Sequence, residues 1–206
     1  MLTINCEQIG KKYRKEWIFR RVNLALTAGT SYTFVGPNGS GKSTLLQLLA
    51  GSLPATEGTL IYSLEGTTID PDGWYRQVSM AAPYLELIEE LTLDELLRFH
   101  QTFKPFKAHL TPEVMADRLL LTHARHKEIK YFSSGMKQRV KLGLAFFSNS
   151  PVVILDEPTA NLDRQGAAWY HEQVRQLASD QLLLIGSNQP EEYDFCPNVL
   201  DVIQWK

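Results

Sequence analysis

Gly36-Pro37-Asn38-Gly39-Ser40-Gly41-Lys42-Ser43 fits the pattern G-x-x-x-x-G-K-[ST] at every fixed position. A β-rich run, Ser31–Val35 (SYTFV), precedes it. A helical pattern, Ser43–Ala50 (STLLQLLA), follows, with Gly51 as its C-terminal stop and Pro54 beyond. The glycines let the backbone curl so that its N–H groups point inward at phosphate oxygens. The helix N-terminus adds partial positive charge. Lys42 brings a full charge to β- and γ-phosphates, and the Ser43 hydroxyl can ligate Mg²⁺. The phosphate cradle is thus Gly36, Pro37, Asn38, Gly39, Ser40, Gly41, Lys42, Ser43 and Thr44. A glycine-rich turn with a chance lysine has the same letters but lacks the strand before and the helix after.

Outward from this loop, short apolar runs alternate with helical patterns. Val152–Leu155 (VVIL) and Gln181–Ile185 (QLLLI) do not alternate with polar residues and read as buried strands. Between them a helix begins a few residues after Asp163, with Tyr170, Val174 and Leu177 on one face. Gly58–Ser63 (GTLIYS) is β-like, as is the N-terminal part generally. From Leu93 to about Ser148 the patterns DELLRFHQTF, PEVMADRLLL and SGMKQRVKLGLAFF are helical. The expected fold class is α/β: one P-loop NTPase domain over residues 1–206. It has a mainly parallel sheet, an N-terminal antiparallel β portion and a helical subdomain at about residues 88–148.

Val152-Val153-Ile154-Leu155-Asp156-Glu157-Pro158 is an apolar strand ending in two acids. Acids at a strand's carboxyl end face the crevice where open α/β sheets bind ligands. Asp156 suits Mg²⁺, directly or through water, and Glu157 suits a base acting on an attacking water. Taken alone, the pair fits a solvated strand end equally well. Upstream, Phe132-Ser133-Ser134-Gly135-Met136 opens a helix with serine caps, whose free N–H groups can meet an anion.

In this order, these segments resemble the ABC ATPase family across most of the chain. Gly36–Ser43 is similar to Walker A, FSSGM at Phe132–Met136 to the signature usually written LSGGQ, ILDEP to Walker B, and Ala160–Asp163 (ANLD) to the D-loop. The resemblance implies ATP and Mg²⁺ as cofactors. It implies Tyr13 as the adenine platform and a head-to-tail dimer in which Ser133, Ser134, Gly135 and Met136 face the nucleotide on the other chain, with Asp163 near the interface. It further implies a transmembrane transporter subunit as partner and a cytoplasmic position at the inner face of the membrane. The compact length resembles exporter ATPases. Several positions depart from the family. Ser134 replaces a glycine, and Met136 replaces a glutamine and cannot hydrogen-bond a ribose well. No glutamine lies at Ala82–Tyr84, and Asn188 stands where a histidine is usual. Glu157 and Asn188 are therefore the expected catalytic pair, with slow turnover.

Composition excludes several other classes. Hydrophobic residues make up 44% of 206 residues, charged residues 21%, and the net charge is −2. No global basic field points to nucleic acid. Cys6 and Cys196 form no disulfide framework, and His100, His109, His123, His126 and His171 form no metal spacing with them. The opening MLTINCEQIGKKYRKEW has no apolar stretch of a signal peptide, and no segment approaches the roughly 18 apolar residues of a membrane span. The segment Pro83–Leu96 (PYLELIEELTLDEL) mixes apolar residues with acids. It reads as a docking surface for a membrane partner or as a solvated amphipathic helix. Rival functions are an ATP-dependent dimerisation switch and a soluble ABC protein outside transport; the single phosphate loop and short helical middle disfavour the latter.

Overall fold

The computed structural model describes residues 1–108, 110–177 and 179–206. Strands β1 (Leu2–Tyr13) and β2 (Glu16–Thr27) form a long antiparallel hairpin. Leu2, Ile4 and Cys6 are buried on alternate positions of β1, the period of a sheet with one covered face. After β3 (Ser31–Val35), the glycine-rich loop leads into α1 (Lys42–Leu49). Strands β4 (Glu57–Leu64) and β5 (Thr67–Thr68) complete a four-stranded antiparallel sheet in the order β2-β1-β4-β5.

The chain then passes through a short helix α2 (Pro71–Trp74) into β6 (Val78–Ala81). Three helices follow without an intervening strand: α3 (Leu93–Phe103), α4 (Pro112–Arg118) and α5 (Ser134–Phe147). Strand β7 (Val152–Asp156), helix α6 (Arg164–Arg175), β8 (Leu182–Gly186) and β9 (Asn198–Asp201) finish the chain. The second sheet has five parallel strands ordered β6-β7-β8-β3-β9. The α/β class with parallel and antiparallel sheets is as the sequence implies.

Every residue of β7 and β8 is buried, which explains their unbroken apolar runs. Alternate side chains serve different cores. Val153, Leu155, Leu183 and Ile185 pack with apolar residues of α3 to α6. Val152, Ile154, Leu182 and Leu184 pack with α1, Phe34 and the antiparallel sheet. The parallel sheet is thus a shared wall. Truncating one of its leucines to alanine removes contacts on a face that cannot relax, at a cost of about 2–5 kcal/mol.

Local signals set the element ends. Gly51, at φ 74, closes α1: its N–H donates to the Leu48 carbonyl (2.9 Å) and Ser52 N–H donates to the Gln47 carbonyl (3.0 Å). This is the two-bond glycine stop that satisfies orphan carbonyls. Helix α4 ends before the full LLL run, because Leu120 turns left-handed (φ 59) and so lets both Leu119 and Leu121 be buried. The strand expected from Gln181 begins at Leu182 and extends to Gly186. Pro83–Leu96 is not one amphipathic helix. Thr92 caps α3 by accepting from Glu95 N–H (3.3 Å) while the Glu95 carboxylate accepts from Thr92 N–H (2.8 Å), so the helix starts at Leu93. His109 lies outside the described residues.

His100 lies half-buried on α3, with Nε2 2.9 Å from the Ser148 hydroxyl and its ring stacked on Phe106. Burial lowers its pKa to about 4, and Lys104 adds to the effect. The unfolded chain, near 6.5, takes up this proton first. Stability is therefore whole above pH 6.5 and falls toward pH 4, by on the order of 2–3 kcal/mol from this group. Denaturant titrations across that range should show a flatter pH profile in His100→Gln than in the wild type. Equal slopes would assign the acid sensitivity elsewhere.

Candidate functional site

Parallel pairing sets the ends of four strands side by side. Phe34 and Asp156 both pair with Gly186, and Ala81 pairs with Leu155. The glycine-rich loop after β3, the acids after β7, Asn188 after β8 and Tyr84 after β6 therefore share one edge, the carboxyl edge where α/β sheets take ligands.

The loop is built for close backbone approach. Gly36 (φ 140) and Gly41 (φ 110) hold conformations that side-chain-bearing residues rarely adopt. A Cβ on Gly41 would stand 2.6 Å from Ile18 Cγ2, so β2 itself demands glycine there. Lys42 is buried, and its ammonium donates to the Gly36 carbonyl (2.8 Å) and more weakly to the Pro37 carbonyl (3.4 Å). Its charge is thus held over the loop's own ring of amides. Among the described residues no side chain caps the N-terminus of α1, and the buried Ser40 hydroxyl has no partner. These open donors suit phosphate oxygens.

Asp156 is 1% exposed, and among the described residues its Oδ1 has no hydrogen-bond partner. Burial raises its pKa. The Ser43 hydroxyl beside it opposes the rise, Glu157 adds to it, and the Tyr84 hydroxyl and Lys42 oppose it again. A buried carboxylate with a vacant oxygen next to a serine hydroxyl is a donor set that fits Mg²⁺. Glu157 has φ 44, a left-handed backbone costing about 1–3 kcal/mol for such a residue. Its N–H donates to the Gly186 carbonyl (2.8 Å), and its carbonyl accepts from Ala160 N–H (3.0 Å).

Asn188 reaches the loop directly. Its Oδ1 accepts from Gly36 N–H (3.2 Å), and its Nδ2 donates to the Asn38 side-chain oxygen (3.1 Å). Lys42, Asp156, Glu157 and Asn188, expected from sequence to act together, stand at one edge. The FSSGM residues stand apart. Among the described residues, no hydrogen bond joins Ser133–Met136 to Gly36–Ser43. Ser133 caps α5 by accepting from Met136 N–H (3.2 Å), with Ser133 and Ser134 exposed. A Cβ on Gly135 would meet the Asn161 carbonyl at 3.0 Å, so the D-loop lies against it. Met136 packs toward the helical core. Asp163 caps α6 by accepting from Gly166 N–H (2.7 Å), a structural task that the sequence reading did not assign to it. Tyr13 is 46% exposed near the hairpin tip, where it pairs with Glu16 and Lys11 sits 5.2 Å from its ring.

Tyr84, Gln138 and Glu192 also stand at or beside this edge, and no sequence motif includes them as site residues. Burial also raises the Tyr84 pKa, and its hydroxyl lies beside Gln47 and Asp156, so a phenol occupies the region where the family glutamine is missing. Gln138 and Glu192 are buried and hydrogen-bonded to the turn after β7. Gln138 stands in the polar run Lys137-Gln138-Arg139 and Glu192 follows Glu191, so no local pattern marks either.

The family model described as ABC transporter matches residues 19–160. The cytochrome c biogenesis ATP-binding export protein CcmA of Mesorhizobium japonicum is 33% identical over 79% of this chain and 79% of its own length. A retinal-specific phospholipid-transporting ATPase of Homo sapiens is 27% identical over 89% of this chain. There the chain spans 8% of the relative's length. A solved dimeric ATP-binding cassette in a post-hydrolysis state with ADP and Pi superposes with TM-score 0.83 at 20% identity, over 96% of this chain and 93% of that one.

Lys42 supplies the one full positive charge of the loop, so Lys42→Ala should lower affinity for Mg-ATP at least about 10-fold in calorimetry. Equal affinities in variant and wild type would dissociate the loop from nucleotide binding.

Proposed function

Because this chain belongs to the ABC transporter family of ATPases, we propose that it binds Mg-ATP at the carboxyl edge of the parallel sheet and hydrolyses it to drive a membrane transporter, in the direction of export. The observation that carries the reading is that Lys42 and Asn188 bond to the glycine-rich loop while Asp156, beside Ser43 of that loop, and Glu157 leave the sheet at the same edge.

The Gly36–Thr44 backbone cradles the β- and γ-phosphates, and the Lys42 ammonium moves from its own loop carbonyls to their oxygens. Ser43 and Asp156 hold Mg²⁺, which neutralises charge on the phosphate oxygens when bound. Glu157 accepts a proton from the water that attacks the γ-phosphorus. The bond from the γ-phosphorus to the bridging oxygen breaks, and ADP and phosphate leave. Asn188 donates through its amide N–H to the γ-phosphate. Its amide is already engaged at both ends by Gly36 and Asn38, and it carries no charge. Both facts favour slow turnover, the behaviour of a switch that spends most of its cycle dimeric.

Ser133–Met136 serve a second copy rather than their own loop, which accords with their place at the exposed end of α5. Tyr13 stacks on adenine, and Asp163 lies at the dimer interface. The membrane chain docks on the groove lined by Pro83, Leu85, Glu86, Leu87, Glu90 and Lys141, beside Tyr84. Among the described residues no helix is long and apolar enough to cross a membrane. The proposed partner is a membrane-spanning transporter subunit, with this chain on its cytoplasmic side.

Glu157→Gln keeps shape and removes the base. Turnover should fall at least about 100-fold while Mg-ATP affinity holds and the ATP-bound dimer accumulates in light scattering. A strict monomer at high concentration, or undiminished turnover, would contradict the reading.

Asn188→His tests the slow step. A histidine donor restores a charge-assisted contact worth about 1–3 kcal/mol, on the order of 5- to 150-fold in rate. A gain in Mg-ATPase at unchanged affinity is expected. A loss would mean that the site is built around asparagine.

A further inference from the structure

The turn after β7 is gripped from two sides by buried side chains with no part in the reaction described above. Gln138 on α5 is 2% exposed, and its Nε2 donates to the Pro158 carbonyl (2.9 Å). Glu192, 1% exposed, lies beyond β8. One of its carboxylate oxygens accepts from Thr159 N–H (2.8 Å) and from the Thr159 hydroxyl, and the other accepts from the Ser187 hydroxyl. The Tyr170 hydroxyl donates to the Glu192 main-chain carbonyl (2.7 Å) and fixes the backbone that carries it.

Three donors converge on this carboxylate, and among the described residues no cation pairs with it. An apolar side chain of similar size would fill the space without the desolvation cost. What the carboxylate adds is a tie between two loops. Thr159 lies two residues beyond Glu157, whose left-handed backbone persists only while its surroundings over-determine it. Ser187 immediately precedes Asn188, which reaches Gly36 and Asn38.

We propose that Glu192 and Gln138 are positioning residues: together they hold the Glu157–Thr159 turn in its left-handed conformation, and Glu192 locks that turn to the Ser187–Asn188 loop. The general base and the γ-phosphate contact are then set as one unit. The proposal rests on the ATPase reading only for its effect on rate; the mechanical tie exists without nucleotide.

The test compares Glu192→Gln, which has one acceptor oxygen for three donors, and Gln138→Met, which keeps length and loses the donor. Amide hydrogen exchange of the nucleotide-free protein should rise at 157–160 in both, and at 187–188 in Glu192→Gln alone, with 182–186 unchanged. Single-turnover kcat should fall roughly 10- to 100-fold, with the calorimetric Kd for Mg-ATP held within about threefold. Unchanged exchange at 157–160 overturns the proposal. A rise throughout the sheet also overturns it, since that is the mark of an ordinary folding role. If Glu192→Gln does not fold, Ser187→Ala removes one donor and is read by the same exchange at 157–160 and 187–188. Should the wild type not hydrolyse ATP, the proposed function fails, and exchange at the turn alone decides this inference.

Discussion

The parallel register of β7, β8 and β3 is the constraint on which the rest depends. Asp156 and Phe34 meet Gly186 from opposite sides, so three chain segments leave the sheet at one level. A slip of one residue would invert the faces of every side chain along the strand. It would also carry the acids away from the glycine-rich loop. The slip is resisted because both faces of β7 and β8 are buried in different cores, one helical and one built on α1 and the antiparallel sheet. Packing thus fixes the position of polar groups that contribute little to packing themselves.

Stability is given up locally at the same edge. Glu157 and Asn161 hold positive φ, Asp156 is buried with a vacant oxygen, and Ser40 has an unpartnered hydroxyl. Each costs free energy. Hydrogen bonds to Gly186, Gln138 and Glu192 engage the Glu157–Thr159 turn. Under-satisfied polar atoms at the end of a strand suit a ligand rich in anionic oxygens and a hard cation.

What was legible in the sequence is what short-range chemistry dictates. The Gly36–Ser43 loop, the strand ending in Asp156-Glu157 and the serine cap of α5 follow from local residue types, and the structure has them. The departure at Asn188 was also visible, but not that its amide already spans the loop. Strand β6 has four residues, too few for a periodic signal, and the β1–β2 hairpin shifts register between Cys6 and Ile9, which blurs alternation. Pro83–Leu96 carried a helical hydropathy pattern that the Thr92 cap cut short. Glu192 and Tyr84 were illegible because their meaning lies in partners far along the chain, Thr159 for one and Asp156 for the other.

If one sheet edge gathers these segments into a single nucleotide site, they respond to nucleotide together. Amide chemical-shift mapping during a titration with Mg-ATP measures this most directly. Amides of Gly36 and of Gly39–Thr44 should shift together with those of Asp156, Glu157 and Asn188, along one saturable curve. Shifts that saturate at different concentrations for the loop and for Asp156–Glu157, or that leave the loop unmoved, would contradict it.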